Sequence, residues 1–210
     1  MILTKYFTAM KNDIFRINKK IIFVLFNILL INNLYSQRSG NNTTPWSIGF
    51  GLNAIDDSGN ALTNPFNFDD NYHFSKPFRL FVEKRFENEI GIELALVTNT
   101  FEVGKKIGNR VLERSINYFA IDAALKYYVS NVISSKYRSY FEIYLFAGLG
   151  RSYYDDEGLM TFNGGPGLTF YITKNLRLFA QPSAKIPIKS SIERTKFIQY
   201  DIGLIYGIPW

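Results

Sequence analysis

The last eleven residues, Tyr200 to Trp210, alternate without a break. Tyr200, Ile202, Leu204, Tyr206, Ile208 and Trp210 are large and apolar or aromatic, whereas Asp201, Gly203, Ile205, Gly207 and Pro209 are mostly small or polar. A strict period of two fits a β-strand with one apolar face and no other regular element. Pro209 removes a ladder donor, which a strand tolerates at its end. The same pattern recurs upstream and predicts strands over Trp46–Asn53, Pro77–Phe86, Ile90–Asn99, Asn117–Val129, Tyr140–Ser152, Phe162–Ile172, Leu176–Lys185 and Phe197–Trp210. The sixth is the weakest, because Gly164, Gly165 and Pro166 dilute it.

The connections carry separate information. Those at Ala54–Lys76, Thr100–Ile116 and Ile186–Lys196 are long and polar, with a moderate one at Tyr153–Thr161. Between them fall Glu87–Glu89, Ser130–Ser139 and Thr173–Asn175, of which the first and last are tight. Such alternation between short turns at one end and long loops at the other is the pattern of transmembrane barrels. The expected fold is all-β: a closed, eight-stranded, antiparallel up-and-down transmembrane barrel. An even strand number puts both termini on the periplasmic side.

Alternation does not say which face is buried, since a soluble barrel would turn its apolar face inward. Three features favour the inverted arrangement. The polar face is rich in small residues (Gly49, Gly51, Gly91, Ala95, Gly148, Gly150, Gly165, Gly167, Gly203, Gly207), which a crowded narrow lumen needs and a solvated surface does not. Aromatic residues sit at strand ends on the apolar face (Trp46, Phe78, Tyr127, Phe141, Phe170, Trp210), where they would form interfacial girdles. Finally, residues 1–36 read as a cleavable signal peptide. Lys19 and Lys20 precede an apolar run from Ile21 to Leu34, and Tyr35-Ser36-Gln37 offers a cleavage point. That run is too short for a helical span and is interrupted by Asn27, Asn32 and Asn33. Met10 is the better candidate start. Residues 37–45 form a flexible lead-in and residues 46–210 the barrel domain.

The chain from Trp46 to Trp210 resembles the small eight-stranded outer-membrane barrels of the OmpX and OmpA-barrel type. The resemblance is carried by Tyr206-Gly207-Ile208-Pro209-Trp210 and by the hairpin stretches Phe81–Glu93 and Thr169–Leu176. It implies residence in the cell outer membrane, in contact with outer-membrane lipid and lipopolysaccharide. It also implies that Tyr206, Ile208 and Trp210 act as a C-terminal signal read by the barrel-assembly machinery, and it leaves room for a surface or envelope protein partner. The chain ends with the barrel, so no peptidoglycan-binding domain is expected to follow.

Composition removes several function classes. The absence of cysteine excludes disulfide frameworks and thiolate chemistry, and a single histidine, His73, makes a histidine-based metal site or general base improbable. The net charge of +6 is uneven: residues 1–36 hold five Lys/Arg against one Asp, a net of +4, leaving +2 on the rest. A nucleic-acid partner is therefore not expected. No cofactor, metal or catalytic residue is assigned. His73 and Ser75 lie near Asp69 and Asp70, but that is composition within one loop, not a nucleophile motif.

The inward charges are Arg79, Glu83, Arg85, Glu93, Asp122, Lys126, Glu142, Arg177, Lys185 and Asp201. In a narrow barrel they are expected to form an ion-paired plug, because unpaired buried charge is costly. Lys126 and Glu142 flank one connection and are candidates to pair. Glu83 and Glu93 face each other across a tight turn, so Arg79 or Arg85 must offset their repulsion. The loops alternate in sign: Asp56, Asp57, Asp69 and Asp70, then Lys105, Lys106, Arg110 and Arg114, then Asp155, Asp156 and Glu157, then Lys189, Arg194 and Lys196. They are candidates for cation capture or contact with anionic headgroups, and His73 reads as an ordinary loop residue. The expected role is structural or surface-interactive. A narrow channel or ligand-binding barrel is the alternative, and an outer-membrane enzyme the third reading.

Overall fold

The computed structural model describes residues 45–58, 71–86, 89–107, 110–130, 141–155, 157–173, 175–188 and 196–209. The expected signal peptide and most of the lead-in lie outside these residues, as does Trp210. Eight long strands form the wall: β1 (Trp46–Asp56), β3 (Ser75–Phe86), β4 (Ile90–Phe101), β7 (Ile116–Tyr127), β8 (Phe141–Tyr154), β9 (Glu157–Tyr171), β10 (Leu176–Pro187) and β11 (Phe197–Ile208). Three two-residue strands, β2 (Tyr72–His73), β5 (Lys106–Ile107) and β6 (Arg110–Val111), belong to the connections. Each long strand pairs with its neighbour in sequence, and β1 pairs with β11 from Trp46↔Ile208 to Asp56↔Ile198. That last ladder closes the sheet, leaving no open edge.

The predicted faces are inside out relative to a soluble barrel. Leu125, Leu145 and Ile202 are each more than half exposed, while their strand neighbours Lys126, Tyr144 and Asp201 are almost fully buried. Every long strand repeats this pattern. A twelve-residue strand such as β4 is about 40 Å long and, tilted by about 40°, stands roughly 30 Å tall, which matches the hydrocarbon thickness of a bilayer. An apolar belt of that height on a closed ladder is a transmembrane surface, because hydrocarbon tolerates only a backbone with every polar group paired.

The two tightest connections (87–89 and 172–175) lie with 128–140 at one end, here called the turn end, opposite those at 57–74, 102–115 and 188–196, the loop end. The third expected loop is a correction. β8 runs on to Tyr154 and β9 starts at Glu157, paired Tyr154↔Glu157, so the connection is two residues long. Asp155 adopts φ 49°, a conformation that Asp tolerates and that two-residue hairpin turns require. Its carboxylate also accepts the Asn117 N–H at 2.9 Å. The residues read as an acidic loop therefore extend a hairpin.

β9 is continuous through Gly164, Gly165 and Pro166. The register Leu168↔Ala180 and Gly164↔Ala184 sets Pro166 opposite Pro182, two residues that both lack an N–H, so the dilution of the pattern marks a gap in one ladder and not the end of a strand. The small lumen residues have a direct packing reason. A Cβ on Gly167 would lie 2.1 Å from the Tyr144 ring, and one on Gly49 2.2 Å from the Phe81 ring. In both cases a large inward side chain on one strand lies flat over the glycine opposite it on the next. Gly167→Val is expected to destabilise the barrel by roughly 1–3 kcal/mol. Part of that loss should return in the double variant with Tyr144→Ala, as read by urea unfolding in detergent micelles. Equal stability of Gly167→Val and wild type would show that the lumen is looser than described.

Candidate functional site in the barrel lumen

The inward register of every long strand delivers at least one polar side chain into a lumen where it is buried. Near the turn end these groups interlock. Arg85, from β3, donates through both terminal nitrogens to the two Glu142 oxygens at 2.9 Å each, and through Nε to Glu83 Oε1 at 3.1 Å. Lys126 Nζ, from β7, bridges Glu83 Oε2 at 3.0 Å and Glu93 Oε2 at 2.5 Å. Arg79 then joins Glu93 at 2.5 Å to Asp201 at 3.2 Å, and Gln199 donates to Asp201 at 2.7 Å. Charge alternates along the whole chain from Glu142 to Asp201. Arg177 completes it, 3.9 Å from Glu142 and donating to Ser47 Oγ at 2.6 Å.

Aromatic residues fill the gaps. Arg85 lies 3.7 Å from the Tyr128 ring centroid, and Lys126 sits between the Tyr144 and Phe81 rings at 4.7 and 5.0 Å. Tyr128 donates its hydroxyl to Glu83, and Tyr144 donates to Gln181 at 2.8 Å. A second, separate group pairs Lys185 with Asp122 at 2.6 Å, supported by Asn163 donating to Asp122 at 2.8 Å and by Tyr118, whose hydroxyl accepts from Lys185 at 3.0 Å. Five carboxylates (Glu83, Glu93, Asp122, Glu142, Asp201) thus meet five cations (Arg79, Arg85, Lys126, Arg177, Lys185), and all are buried.

Two sequence expectations change here. Lys126 does not pair with Glu142: the lysine turns to the neighbouring β4 and to β3 beyond it, and Arg85 takes Glu142 with a planar fork that a lysine cannot match. Nor is His73 an ordinary loop residue. It is fully buried in β2, paired with Ile55 of β1, with its ring 4.7 Å from that of Phe101. Its Nδ1 accepts the Glu102 N–H at 2.9 Å. Of the loop constellation weighed as catalytic, Asp69 and Asp70 lie outside the described residues.

The loop end is sealed by apolar packing that the alternation did not single out. Ile55, Val97, Phe101, Tyr118, Ala120, Tyr154 and Phe197 form one buried cluster inside the wall, with Ile107 and Leu112 of the second loop packed against it. Beside it, residues 71–74 form a strap paired to the end of β1 through Ile55↔His73 and Asp56↔Tyr72. Asn99 donates to Asn53 Oδ1 at 2.6 Å and to the His73 carbonyl at 3.1 Å, while Lys105 donates to the Tyr72 carbonyl at 2.5 Å. Glu102 accepts the Phe74 N–H at 3.2 Å and pairs with Lys105 at 2.9 Å. A sequence signal for this seal is the aromatic run Tyr72-His73-Phe74 in the first loop. Among the described residues no three His, Cys, Asp or Glu side chains are grouped to hold a metal ion.

No protein-family profile and no curated protein sequence matches the chain. Solved structures do. Neisserial surface protein A superposes with a TM-score of 0.56 at 13% identity, covering 79% of this chain and 99% of that one. OprG from Pseudomonas aeruginosa gives 0.47 at 12% identity, over 78% and 96%. Ail, the attachment invasion locus protein of Yersinia pestis, gives 0.45 at 14%, over 77% and 95%. The chain has the closed eight-stranded fold of the small outer-membrane barrels.

Lys126→Met leaves two buried carboxylates short of a cation, and loss of one member of a buried network costs about 3–5 kcal/mol. Urea unfolding should show that loss, and Glu83→Gln in the same chain should recover part of it; an unchanged midpoint for Lys126→Met would contradict the bridge. A second expectation concerns the strap. The hydrogen bond from Lys105, aided by the Phe74 N–H, holds the Glu102 carboxyl below its ordinary value. A depressed carboxyl contributes stability above the unfolded value of about 4.3, and loses it as pH falls through the folded value. Exchange of the Phe74 amide should therefore quicken relative to lumen amides between pH 5 and about pH 3. Glu102→Gln should abolish that step, and a step that survives the substitution would assign it elsewhere.

Proposed function

We propose that this protein is an integral outer-membrane barrel with a filled, non-conducting lumen, whose role is structural or interactive and is exercised through its loop end. In this reading both chain ends face the periplasm and the loops face outward. The observation that carries it is the neutral, interlocked lumen. A path for ions or solutes needs charged groups with unspent hydrogen-bonding capacity beside open space, whereas here the inward cations are spent on carboxylates and the mouth is closed by aromatic packing. Open diffusion channels also require about sixteen strands, twice the number here.

The loop end supports an interaction role on general grounds, since connections on a rigid scaffold are where binding groups are displayed. The exposed Arg114 side chain and the exposed Val103 and Val111 stand there. Outer-membrane lipid and lipopolysaccharide are the partners proposed for the belt and its rim. The barrel-assembly machinery is the partner proposed for the closing strand, with Tyr206 and Ile208 outward on β11 and Trp210 beyond the described residues. No catalytic role is proposed.

The test is reconstitution of residues 37–210 in planar bilayers beside a heat-modifiable gel shift. The expected outcome is a clear shift between folded and boiled forms with no discrete conductance steps. Discrete channels from heat-shifted protein would overturn the filled-lumen reading and make Lys126, Glu83 and Glu93 the first residues to substitute. A chain soluble without detergent and lacking the shift would overturn the membrane assignment.

A further inference from the structure

The outer belt carries charge of one sign only. Among the described residues, the ionised side chains that stand exposed or half-exposed on the outward register of the long strands are Lys76, Lys84 and Arg151. Asp56 shares that register but is buried. Lys76 and Arg151 lie towards the loop end, whereas Lys84 sits alone near the turn end, two residues before the end of β3.

Lys84 is held in a particular way. Its Nζ lies 5.0 Å from the Trp46 ring centroid and 5.1 Å from that of Phe86. Trp46 is its direct cross-strand partner and Phe86 its neighbour on the same face. The two rings fix the ammonium by cation–π attraction and cover it, and no acceptor among the described residues lies within hydrogen-bonding reach of it. An ammonium has three donors and no acceptor, and ring faces satisfy its charge without satisfying those donors. On a lipid-facing wall at the depth of an aromatic girdle, phospholipid headgroups supply the acceptors.

We propose that Trp46, Lys84 and Phe86 form a phosphate-binding site for an anionic phospholipid of the leaflet at the turn end. The aromatic pair holds the lysine at headgroup depth, Nζ swings clear of the rings that cover it to donate to the phosphate oxygens, and the acyl chains lie along Ile92, which pairs with Lys84 on β4. The proposal rests on the reading of the barrel as membrane-spanning and goes beyond it by naming a lipid class and its contacts. A bare ammonium favours a net-negative headgroup over one that carries its own tethered cation, so phosphatidylglycerol is preferred to phosphatidylcholine.

The chain has two tryptophans, Trp46 and Trp210, so Trp210→Phe leaves Trp46 as a local reporter. That protein is reconstituted into vesicles containing phosphatidylglycerol or phosphatidylcholine brominated on the acyl chains, and quenching of Trp46 is titrated against brominated lipid fraction. The expected result is a preference of about fivefold for the anionic lipid, weakened by raised salt. Lys84→Met should reduce it to near unity and Lys84→Arg should retain it, with every variant keeping its heat-modifiable shift. Equal quenching by the two lipids, or a preference that survives Lys84→Met, overturns the site while leaving the barrel intact. A chain that fails to insert overturns both the site and the membrane reading.

Discussion

The ladder between β1 and β11 is the contact on which the rest of this barrel depends. Without it the sheet has two edges of unpaired N–H and C=O groups, and in hydrocarbon those groups have no partner to find. With it, the whole exterior can be apolar, since side chains alone meet the lipid. Its register from Trp46↔Ile208 to Asp56↔Ile198 also fixes which residues point inward. Asn53, opposite Asp201, and Gly51, opposite Gly203, enter the lumen because of that register, and a slip of one residue would turn every pair to the lipid.

Closure creates the second constraint, a narrow interior that must be filled. The chain does so by dividing the lumen into chemically different layers. The turn-end half holds the alternating chain from Glu142 to Asp201, and the loop-end half holds the apolar cluster around Phe101. Glycines opposite Tyr144 and Phe81 let bulky side chains lie flat over the wall. Among the described residues the five carboxylates of these ion pairs match five cations, so the paired filling is neutral and offers an ion little electrostatic reason to enter. The same neutrality makes the chain from Glu142 to Asp201 sensitive to removal of any one member, because each cation in it satisfies two carboxylates or shares one.

Much of this was legible in the sequence for one physical reason: each strand separates two environments of opposite polarity, so side-chain chemistry reports the face directly. The inward positions of Arg79, Glu83, Lys126 and the other lumen charges follow from counting by two. Their partners do not. Lys126 of β7 meets Glu83 of β3 across an intervening strand, a distance in sequence that no local pattern encodes, and nearness in sequence suggested Glu142 instead. The loop end was the least legible. Asp155 looked like part of an acidic loop but serves a two-residue turn, and His73 looked like a loop residue but seals the mouth. In both cases the decisive interaction is with backbone, which side-chain composition does not report. Lys84 is the converse: it broke the apolar alternation of its strand, and the rings that accommodate it lie one strand away and two residues on.

The central claim is that the two faces of this sheet meet different solvents, lipid outside and a sealed polar filling inside. Nuclear Overhauser contacts from methyl groups, recorded in lipid nanodiscs, test it most directly. Leu125, Leu145 and Ile202 should show contacts to lipid acyl chains and none to water, whereas Ile55, Val97 and Ile205 should show contacts to neither. Water contacts at Leu125 and Ile202, or acyl-chain contacts at Val97 and Ile205, would contradict the account.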